Sequence, residues 1–237
     1  MRKIRIKVVK LGYQKNNMII EKLKQYKSEI FEVSLFEQTL SNCDMGWGYS
    51  FDKLRGFLST NFNEAEYDMC IGLIDTEIEL NYFGKRLSGD NIYVISFYEI
   101  AEVLSENNID VFNYLLSTFY RYITRYILKG EPLSHDETRS CMFDMCGNKR
   151  DIVYCSSQPI ICESCEARIR SKQLPDDYLN LLKREIKKIR KSTYYRITDF
   201  IKNHPYLSIL IVAISNILFG IIGDFIYDLM KCALHLI

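Results

Sequence analysis

The chain has 237 residues, of which 48% are hydrophobic and 26% are charged. This length is enough to bury a sizeable core, and the composition excludes a disordered chain, a collagen-like repeat and a small disulfide-stapled secreted domain. With 31 basic and 30 acidic residues, the net charge of +1 speaks on average against a nucleic-acid binder with a strongly basic surface. That average hides an uneven distribution of charge along the chain.

The periodicity of hydrophobic residues predicts an α/β domain in the first 130 residues. Strands are predicted near residues 4–8, 30–36, 69–74 and 92–97. Amphipathic helices are predicted near residues 16–27, 51–58 and 110–129. Because strands and helices alternate, and because the strand at 69–74 is apolar throughout, we expect a sheet covered by helices.

Five cysteines occur between positions 141 and 165, which is too dense for scattered buried cysteines. Cys141-x4-Cys146 is followed, after fifteen residues, by Cys162-x2-Cys165. Two pairs of thiolates joined by a loop suit tetrahedral zinc, so these four cysteines are the predicted ligands of a structural zinc in a ribbon-like element. Cys155 is a fifth candidate within the loop.

The C-terminal part combines a basic run with an uncharged segment. Residues 183–191 hold six basic residues and one acid, and residues 203–223 contain no Asp, Glu, Lys or Arg. Twenty-one uncharged residues suffice for a transmembrane helix, although a buried core helix is also apolar all round. Because the basic run precedes the span, the positive-inside rule predicts a single-pass inner-membrane protein with a cytoplasmic N-terminal domain.

A long charged helix is predicted between the cysteines and the span, roughly over residues 176–202. Its apolar residues recur every three or four positions. Such a seam fits either a short coiled-coil stalk or a helix that packs back onto the domain.

The order of elements resembles that of the archaemetzincins, compact zinc peptidases of the metzincin group. That family carries H-E-x-x-H-x-x-G, a third His next to a Cys, a second Cys five residues later and a closing C-x-x-C. Here His135 precedes Cys141 by six residues, and Cys162 and Cys165 lie at the closing C-x-x-C. Upstream, MCIGLIDTEIEL and DNIYVISFYEI resemble the family's strand, turn, edge segment and next strand. The resemblance implies a zincin-like α/β fold with a structural zinc.

The chain departs from this family at the catalytic positions. Counting back from His135, the H-E-x-x-H positions hold Arg125, Tyr126 and Lys129, and the family's first structural Cys is Asp136. Arginine does not ligate zinc and tyrosine does not replace the carboxylate base. We therefore predict an inactive pseudo-peptidase in which Cys146 supplies the zinc ligand lost at position 136.

A basic stripe occupies the place of the lost motif. Arg121, Arg125 and Lys129 are spaced four residues apart, so they share one helix face. In the resembling fold this face lines the cleft, to which His135 and Arg139 would add. Arginines beside aromatic residues suit phosphates and stacked bases, so the sequence predicts a nucleotide or oligonucleotide ligand. The alternative is an ordinary solvated face.

The predicted span carries small and polar residues that suit helix association, namely Ser208, Ser215, Asn216 and Gly220, and Asp224 follows directly after it. This favours a homo-oligomer, in which the span forms either a pore or a simple tether in the lipid.

These observations divide the chain into a metzincin-like domain (1–138), a zinc element (139–170), a basic juxtamembrane helix (171–203) and a membrane segment with a tail (204–237). The layout resembles the small membrane effectors of bacterial antiphage signalling systems, in which a partner enzyme makes the messenger. We therefore expect a ligand-gated effector that forms a pore or ion channel. The alternatives are a membrane-anchored zinc metallohydrolase that uses His135 and a tethered adaptor that recruits a protein or anionic lipid.

Overall fold

The computed structural model describes residues 2–60, 62–87, 91–131, 133–136, 138–172, 174 and 177–235. Positions 228, 229 and 232–235 are described by their backbone alone. The chain divides into two compact units, the first ending at Lys191 and the second beginning at Ser192.

A five-stranded mixed sheet forms the centre of the first unit. Its strands are β1 (Ile4–Leu11), β2 (Phe31–Gln38), β3 (Met69–Ile74), β4 (Gly84–Arg86) and β5 (Ile92–Ser96), in the order β2-β1-β3-β5-β4. β4 runs antiparallel to β5, whereas the other neighbours are parallel. The four parallel strands confirm the prediction. β4 has three residues, too few for a periodic signal, and only the family resemblance indicated this edge segment.

Helices cover both faces of this sheet. The first unit contains α1 (Asn17–Gln25), α2 (Phe51–Thr60), α3 (Ile100–Glu106), α4 (Val111–Ile127), α5 (Ile152–Ser157), α6 (Glu163–Arg170) and α7 (Tyr178–Ile186). α2 packs Leu54 and Leu58 against one face, and α1 and α4 pack against the other. Asp110 caps α4, because its carboxylate accepts a hydrogen bond of 2.9 Å from the Phe112 amide. Most of α4 is buried, which makes it the central helix of its layer.

The cysteine-rich segment belongs to the main core and is not a separate domain. Cys141, Met142 and Ile152 are fully or almost fully buried in the same apolar cluster as β1 and α4. The boundary predicted between residues 138 and 139 is therefore not a boundary between compact units, since the segment has no core of its own.

The predicted long helix is interrupted in the structure. α6 ends at Arg170, α7 covers Tyr178–Ile186, and α8 (Thr193–Asn203) belongs to the second unit; residue 176, where the predicted helix begins, lies outside the described residues. Ser192 precedes α8 with a non-helical backbone (φ −57°, ψ 155°). The helix therefore restarts there, and the predicted juxtamembrane segment is split between the two units.

α7 packs back onto the domain, which was one of the two alternatives for the apolar seam. Its Tyr178 hydroxyl lies 2.6 Å from Thr124 Oγ1 of α4. The carboxylate of Glu185, which is fully buried, accepts hydrogen bonds from Ser28 Oγ at 2.5 Å and from the Tyr120 hydroxyl. Because a buried carboxylate is tolerated only when it is well hydrogen-bonded, these contacts fix α7 against α4 and the start of β2.

The second unit consists of α8 and α9 (Pro205–His235). His204 separates them with a non-helical backbone (φ −133°, ψ 61°). Pro205 suits the first position of α9, because proline has no amide hydrogen to leave unpaired there. Within α9, the 23 residues Pro205–Tyr227 are long and apolar enough to cross a membrane, by length and composition. This helix contains the span predicted from the sequence.

Candidate metal centre and basic groove

Four side chains that can bind a metal converge near the loop that follows α4. The ligand atoms of His135, Cys141, Cys162 and Cys165 all lie within 4.8 Å of one another. Cys141 and Cys165 are buried, whereas His135 and Cys162 are partly exposed. Among the described residues, this is the cluster of His, Cys, Asp or Glu side chains with the geometry of a metal site.

The separations fit a tetrahedral zinc ion. Metal–sulfur bonds of about 2.3 Å place two sulfurs of a tetrahedron about 3.8 Å apart. Cys141 Sγ and Cys165 Sγ are 4.0 Å apart, and His135 Nε2 lies 3.2 Å from Cys141 Sγ and 3.5 Å from Cys162 Sγ. Three thiolates and one imidazole are a common ligand set of structural zinc, so the donor types agree with the distances.

The local backbone explains why these side chains meet. His135 pairs with Asp144 and Cys141 pairs with Ile160 in isolated bridges, which closes the loop on itself. The buried carboxylate of Asp144 accepts hydrogen bonds from the amides of Thr138 (3.1 Å) and Cys146 (2.8 Å). Cys162 stands immediately before α6, so Cys165 follows one helical turn later on the same side.

The four-residue cluster differs from the predicted set of zinc ligands at one position. Cys146 does not belong to the four-residue cluster, and His135, which the sequence assigned to ligand binding, takes its place. The reason is local geometry, because Cys146 has a left-handed backbone (φ 49°) and its thiol faces Cys155, with a sulfur–sulfur distance of 3.4 Å. The signal that was missed is the spacing His135-x5-Cys141, in which histidine completes the three-cysteine set.

Cys146 and Cys155 instead form a second thiol pair beside Arg121. The hydrogen bond from the Cys155 thiol lowers the pKa of the Cys146 thiol, burial opposes this, and the positive charge of Arg121 reinforces it. The same hydrogen bond and burial raise the pKa of Cys155. Cys155 Sγ also lies 3.2 Å from the Cys141 carbonyl oxygen, so the pair supports the backbone of the metal loop.

A basic groove adjoins this thiol pair. It is a cavity of about 890 Å³ between the β4 segment, α4 and the loop that follows Cys146. Its described lining includes five basic residues and no Asp or Glu; the basic residues are Lys85, Arg86, Arg121, Arg125 and Lys149. Tyr82, Phe83 and Tyr122 add aromatic surface. We call this cavity the basic groove.

Contacts with neighbouring groups fix several of the groove's cations. Arg121 Nε donates a hydrogen bond of 2.7 Å to the Met142 carbonyl, and its guanidinium lies 5.6 Å from the centre of the Phe83 ring. Arg125 Nε donates to the Gly130 carbonyl at 3.3 Å. Lys149 pairs with Glu99, which lies outside the lining, with Nζ and Oε2 3.3 Å apart. These contacts restrict the positions of Arg121, Arg125 and Lys149 within the groove.

Of the five residues predicted to contact a ligand, two line the basic groove and three lie outside its described lining, and their contact with a ligand stays a prediction. Arg121 and Arg125 line the groove. Lys129 lies beyond the end of α4 and is exposed, because its left-handed backbone (φ 53°) turns the chain away. His135 lies in the metal cluster, and Arg139 is exposed with its guanidinium 5.2 Å from the Tyr154 ring centre.

Sequence reasoning missed Lys85, Arg86 and Lys149. Each lies far along the chain from α4, so only the sheet order and the loop after Cys146 bring them to it. A weak signal existed in the basic pair that follows Gly84, since a charged edge strand is common where a sheet meets solvent.

The five residues predicted for membrane association all lie on α9. Ser208 and Ser215 donate their hydroxyls to the backbone carbonyls of His204 (2.9 Å) and Ile211 (2.7 Å), within their own segment. Asn216, Gly220 and Asp224 follow one another at four-residue intervals and are exposed. They therefore share one face of the helix.

No family model and no curated protein matches this chain. Among solved structures, the chain is similar to the archaemetzincin of Archaeoglobus fulgidus complexed with malonate, with 16% identity and a TM-score of 0.47, over 70% of this chain and 99% of that one. It is also similar to a zinc-dependent peptidase of Methanocorpusculum labreanum, with 9% identity and a TM-score of 0.44, over 69% and 99% of the two chains.

Proposed function

We propose that this protein is a membrane-anchored, non-catalytic sensor whose first unit binds a nucleotide or oligonucleotide in the basic groove. The observation that carries the proposal is the described lining of that groove, which combines five Lys and Arg residues with no carboxylate. A cavity of this charge and size suits a phosphate-bearing small molecule, since ligand pockets typically measure about 300–1,000 Å³.

The types of side chain in the groove fit both the phosphate groups and the base of such a ligand. Arginine binds phosphate oxygens through two parallel hydrogen bonds, and three arginines line the groove. Aromatic rings give bases a surface for stacking, and Tyr82 is exposed within the lining. Phosphate groups supply the affinity and stacking retains the base, which favours a nucleotide over inorganic phosphate.

The non-catalytic character follows from the residues at the catalytic positions. A metzincin needs two imidazoles one helical turn apart and a glutamate base, whereas the corresponding positions of this chain hold Arg125, Tyr126 and Lys129. The chain has three histidines, and the one in the first unit, His135, is a member of the cysteine cluster. We therefore assign the metal a structural role.

In this proposal, ligand binding promotes association of the protein in the membrane. The shared face of Asn216, Gly220 and Asp224 provides small and polar groups for contacts between α9 helices, which are the usual means of association in lipid. The assembled helices would form a pore or ion channel in the bacterial inner membrane, with the first unit in the cytoplasm. A partner enzyme that makes the nucleotide during antiphage defence would supply the signal.

The binding step is tested with the full chain in detergent. Fluorescence anisotropy is measured with fluorescein-labelled tetra-adenylate as the probe, and unlabelled ATP and inorganic phosphate compete with it. Wild-type protein should bind the probe, and Arg125→Glu should weaken binding at least about tenfold, because one charge-assisted hydrogen bond is worth about 1.5–3 kcal/mol.

Arg139→Glu is the matched control. It makes the same change of charge on an exposed arginine outside the groove, so its affinity should stay within about twofold of wild type. Equal weakening by both variants would mean that only the net charge matters. Absence of probe binding by the wild type would refute the proposed ligand class.

The membrane step has its own measurement. Vesicles that carry the reconstituted protein should release an entrapped dye when tetra-adenylate is added, and the Asn216→Leu variant should release less. A protein that binds the probe but never releases dye would be a tethered adaptor and not a pore.

A further inference from the structure

α8 exposes a stripe of large apolar side chains. Tyr194, Ile197, Phe200 and Ile201 are all substantially exposed, from 41% at Phe200 to 72% at Tyr194. α8 has no buried residue along its length. A contiguous exposed apolar surface on a soluble protein marks a surface that another phase or partner covers.

The stripe occupies one face of an amphipathic helix. Residues 194, 197 and 201 recur at intervals of three and four, which places them on one side. Arg196, Asp199 and Lys202 lie on the other side, two of them basic. An amphipathic helix with aromatic and aliphatic residues opposite basic ones is the pattern of helices that lie in the plane of a membrane interface.

The apolar surface of α8 continues onto α9 across the bend at His204. Both helices belong to the second unit, and the ring centres of Phe200 and His204 are 5.1 Å apart. A cavity of about 430 Å³ lies in the bend, lined by Ile201 of α8 and by residues of the first two turns of α9: Pro205, Ser208, Ile209 and Val212. The apolar stripe of α8 and the first two turns of α9 therefore line the same cavity.

We propose that α8 lies in the membrane interface at the start of the span, with its stripe against lipid acyl chains and Arg196 and Lys202 among the headgroups. The inference rests on the proposed anchoring by α9 and goes beyond it, because a simple tether would leave α8 in water. The covering phase is the bilayer and not a second copy, since the stripe is continuous with the face that α9 presents to lipid and its opposite side suits anionic headgroups.

Tryptophan fluorescence in the full chain tests this placement. The chain has a single tryptophan, and Trp47 is 89% exposed in the first unit, so Trp47→Phe gives a silent background. Three variants each add one tryptophan: Ile197→Trp on the stripe, Asp199→Trp on the opposite face, and Ile214→Trp within the span. Each is reconstituted into phosphatidylcholine and phosphatidylglycerol vesicles, with or without lipids brominated at acyl carbons 6 and 7.

Bromine quenches only fluorophores that touch the acyl chains. The Ile197→Trp variant should be blue-shifted and quenched more than about twofold, because an interfacial helix buries its apolar face about 5–10 Å into the boundary region. The Asp199→Trp variant should be quenched far less, and the Ile214→Trp variant should be quenched as a lipid-exposed position in the span.

Three other results would each contradict the proposed placement of α8. Quenching of the Ile214→Trp variant alone would overturn the placement of α8 and leave the anchoring by α9 intact. No quenching of any variant would refute the anchoring itself. A blue-shifted Ile197→Trp variant that bromine does not quench would show that a second protein surface covers the stripe, which also overturns the proposal.

Discussion

The metal cluster and the basic groove both lie beside α4 and the loop that follows it, yet they are built in opposite ways. The four ligand atoms of the cluster lie within 4.8 Å of one another, so each can contribute to one ion. The cations of the groove surround about 890 Å³ of space. A closed set of donors stabilises the chain that carries it, whereas an open set of like charges does not by itself stabilise the fold and leaves room for an anionic ligand.

Arg121 is where the two regions meet. Its Nε donates to the carbonyl of Met142, the residue after a metal-cluster cysteine, while its side chain lines the groove. With zinc bound, three thiolates and one Zn²⁺ would sum to a charge of −1 within the cluster, and the described lining of the groove beside it is basic. Arg121 thus links the backbone of the metal loop to the basic groove.

The largest expected effect is the loss of zinc from the metal cluster, a change that does not involve the basic groove. Cys165→Ser and His135→Ala should each lose zinc and unfold the loop between α4 and α6, because a structural zinc contributes on the order of 10 kcal/mol of binding free energy to folding. Elemental analysis of the purified full chain should give about one zinc per wild-type chain and close to none in these variants.

Cys146→Ser is the control for this test, because Cys146 is buried nearby but lies outside the cluster. It should retain the zinc. Loss of zinc in this variant would return Cys146 to the ligand set. Two zinc ions per wild-type chain would favour the metallohydrolase alternative.

A smaller effect should distinguish the two groove arginines. Arg121→Met leaves the Met142 carbonyl without its donor and the Cys146 thiol without its cation, so it should lower the free energy of unfolding by about 1–3 kcal/mol. Arg125→Met breaks a longer hydrogen bond, of 3.3 Å to Gly130, and should cost within about 0.5 kcal/mol.

Thermal unfolding of the first unit within the full chain, followed by near-ultraviolet circular dichroism, measures this difference. Both variants should weaken binding of the labelled tetra-adenylate. If they lowered the unfolding midpoint equally, Arg121 would have no special role between the metal cluster and the groove.

The sequence predicted the parts of this molecule that depend on local pattern. Alternating and continuous apolar runs located the four parallel strands and α4, because side-chain periodicity directly reports which face is buried. The spacing of Cys141, Cys162 and Cys165 predicted a metal site for a similar reason, since two short turns suffice to present thiolates.

What the sequence did not predict depends on where distant segments meet. Predicting His135 and not Cys146 as the fourth metal ligand requires knowledge of the left-handed backbone at Cys146, and nothing in the cysteine spacing reveals that conformation. Lys85 and Lys149 join Arg121 only through the sheet order and a loop that follows the metal site. The packing of α7 onto the domain likewise depends on the buried Glu185, which in the sequence is one more charged residue among many.

The last expected effect is similar in size and concerns the shape of the groove and not its charge. Gly84 and Gly147 both line it, but they differ in the room for a side chain. A Cβ at position 84 would lie 2.3 Å from the Tyr122 hydroxyl oxygen and 3.2 Å from the Val94 carbonyl oxygen, whereas a Cβ at position 147 would meet nothing within 4 Å.

Gly84→Ala must therefore displace Tyr122, which should cost about 1–3 kcal/mol of stability, as overpacking does. It should also weaken tetra-adenylate binding, because the displaced ring occupies part of the cavity. Gly147→Ala should leave both quantities near the wild-type values. Since neither change alters the charge, equal binding by the two variants would show that the groove attracts its ligand by electrostatics alone, whereas weaker binding by Gly84→Ala would establish that the ligand also depends on the cavity between β4 and α4.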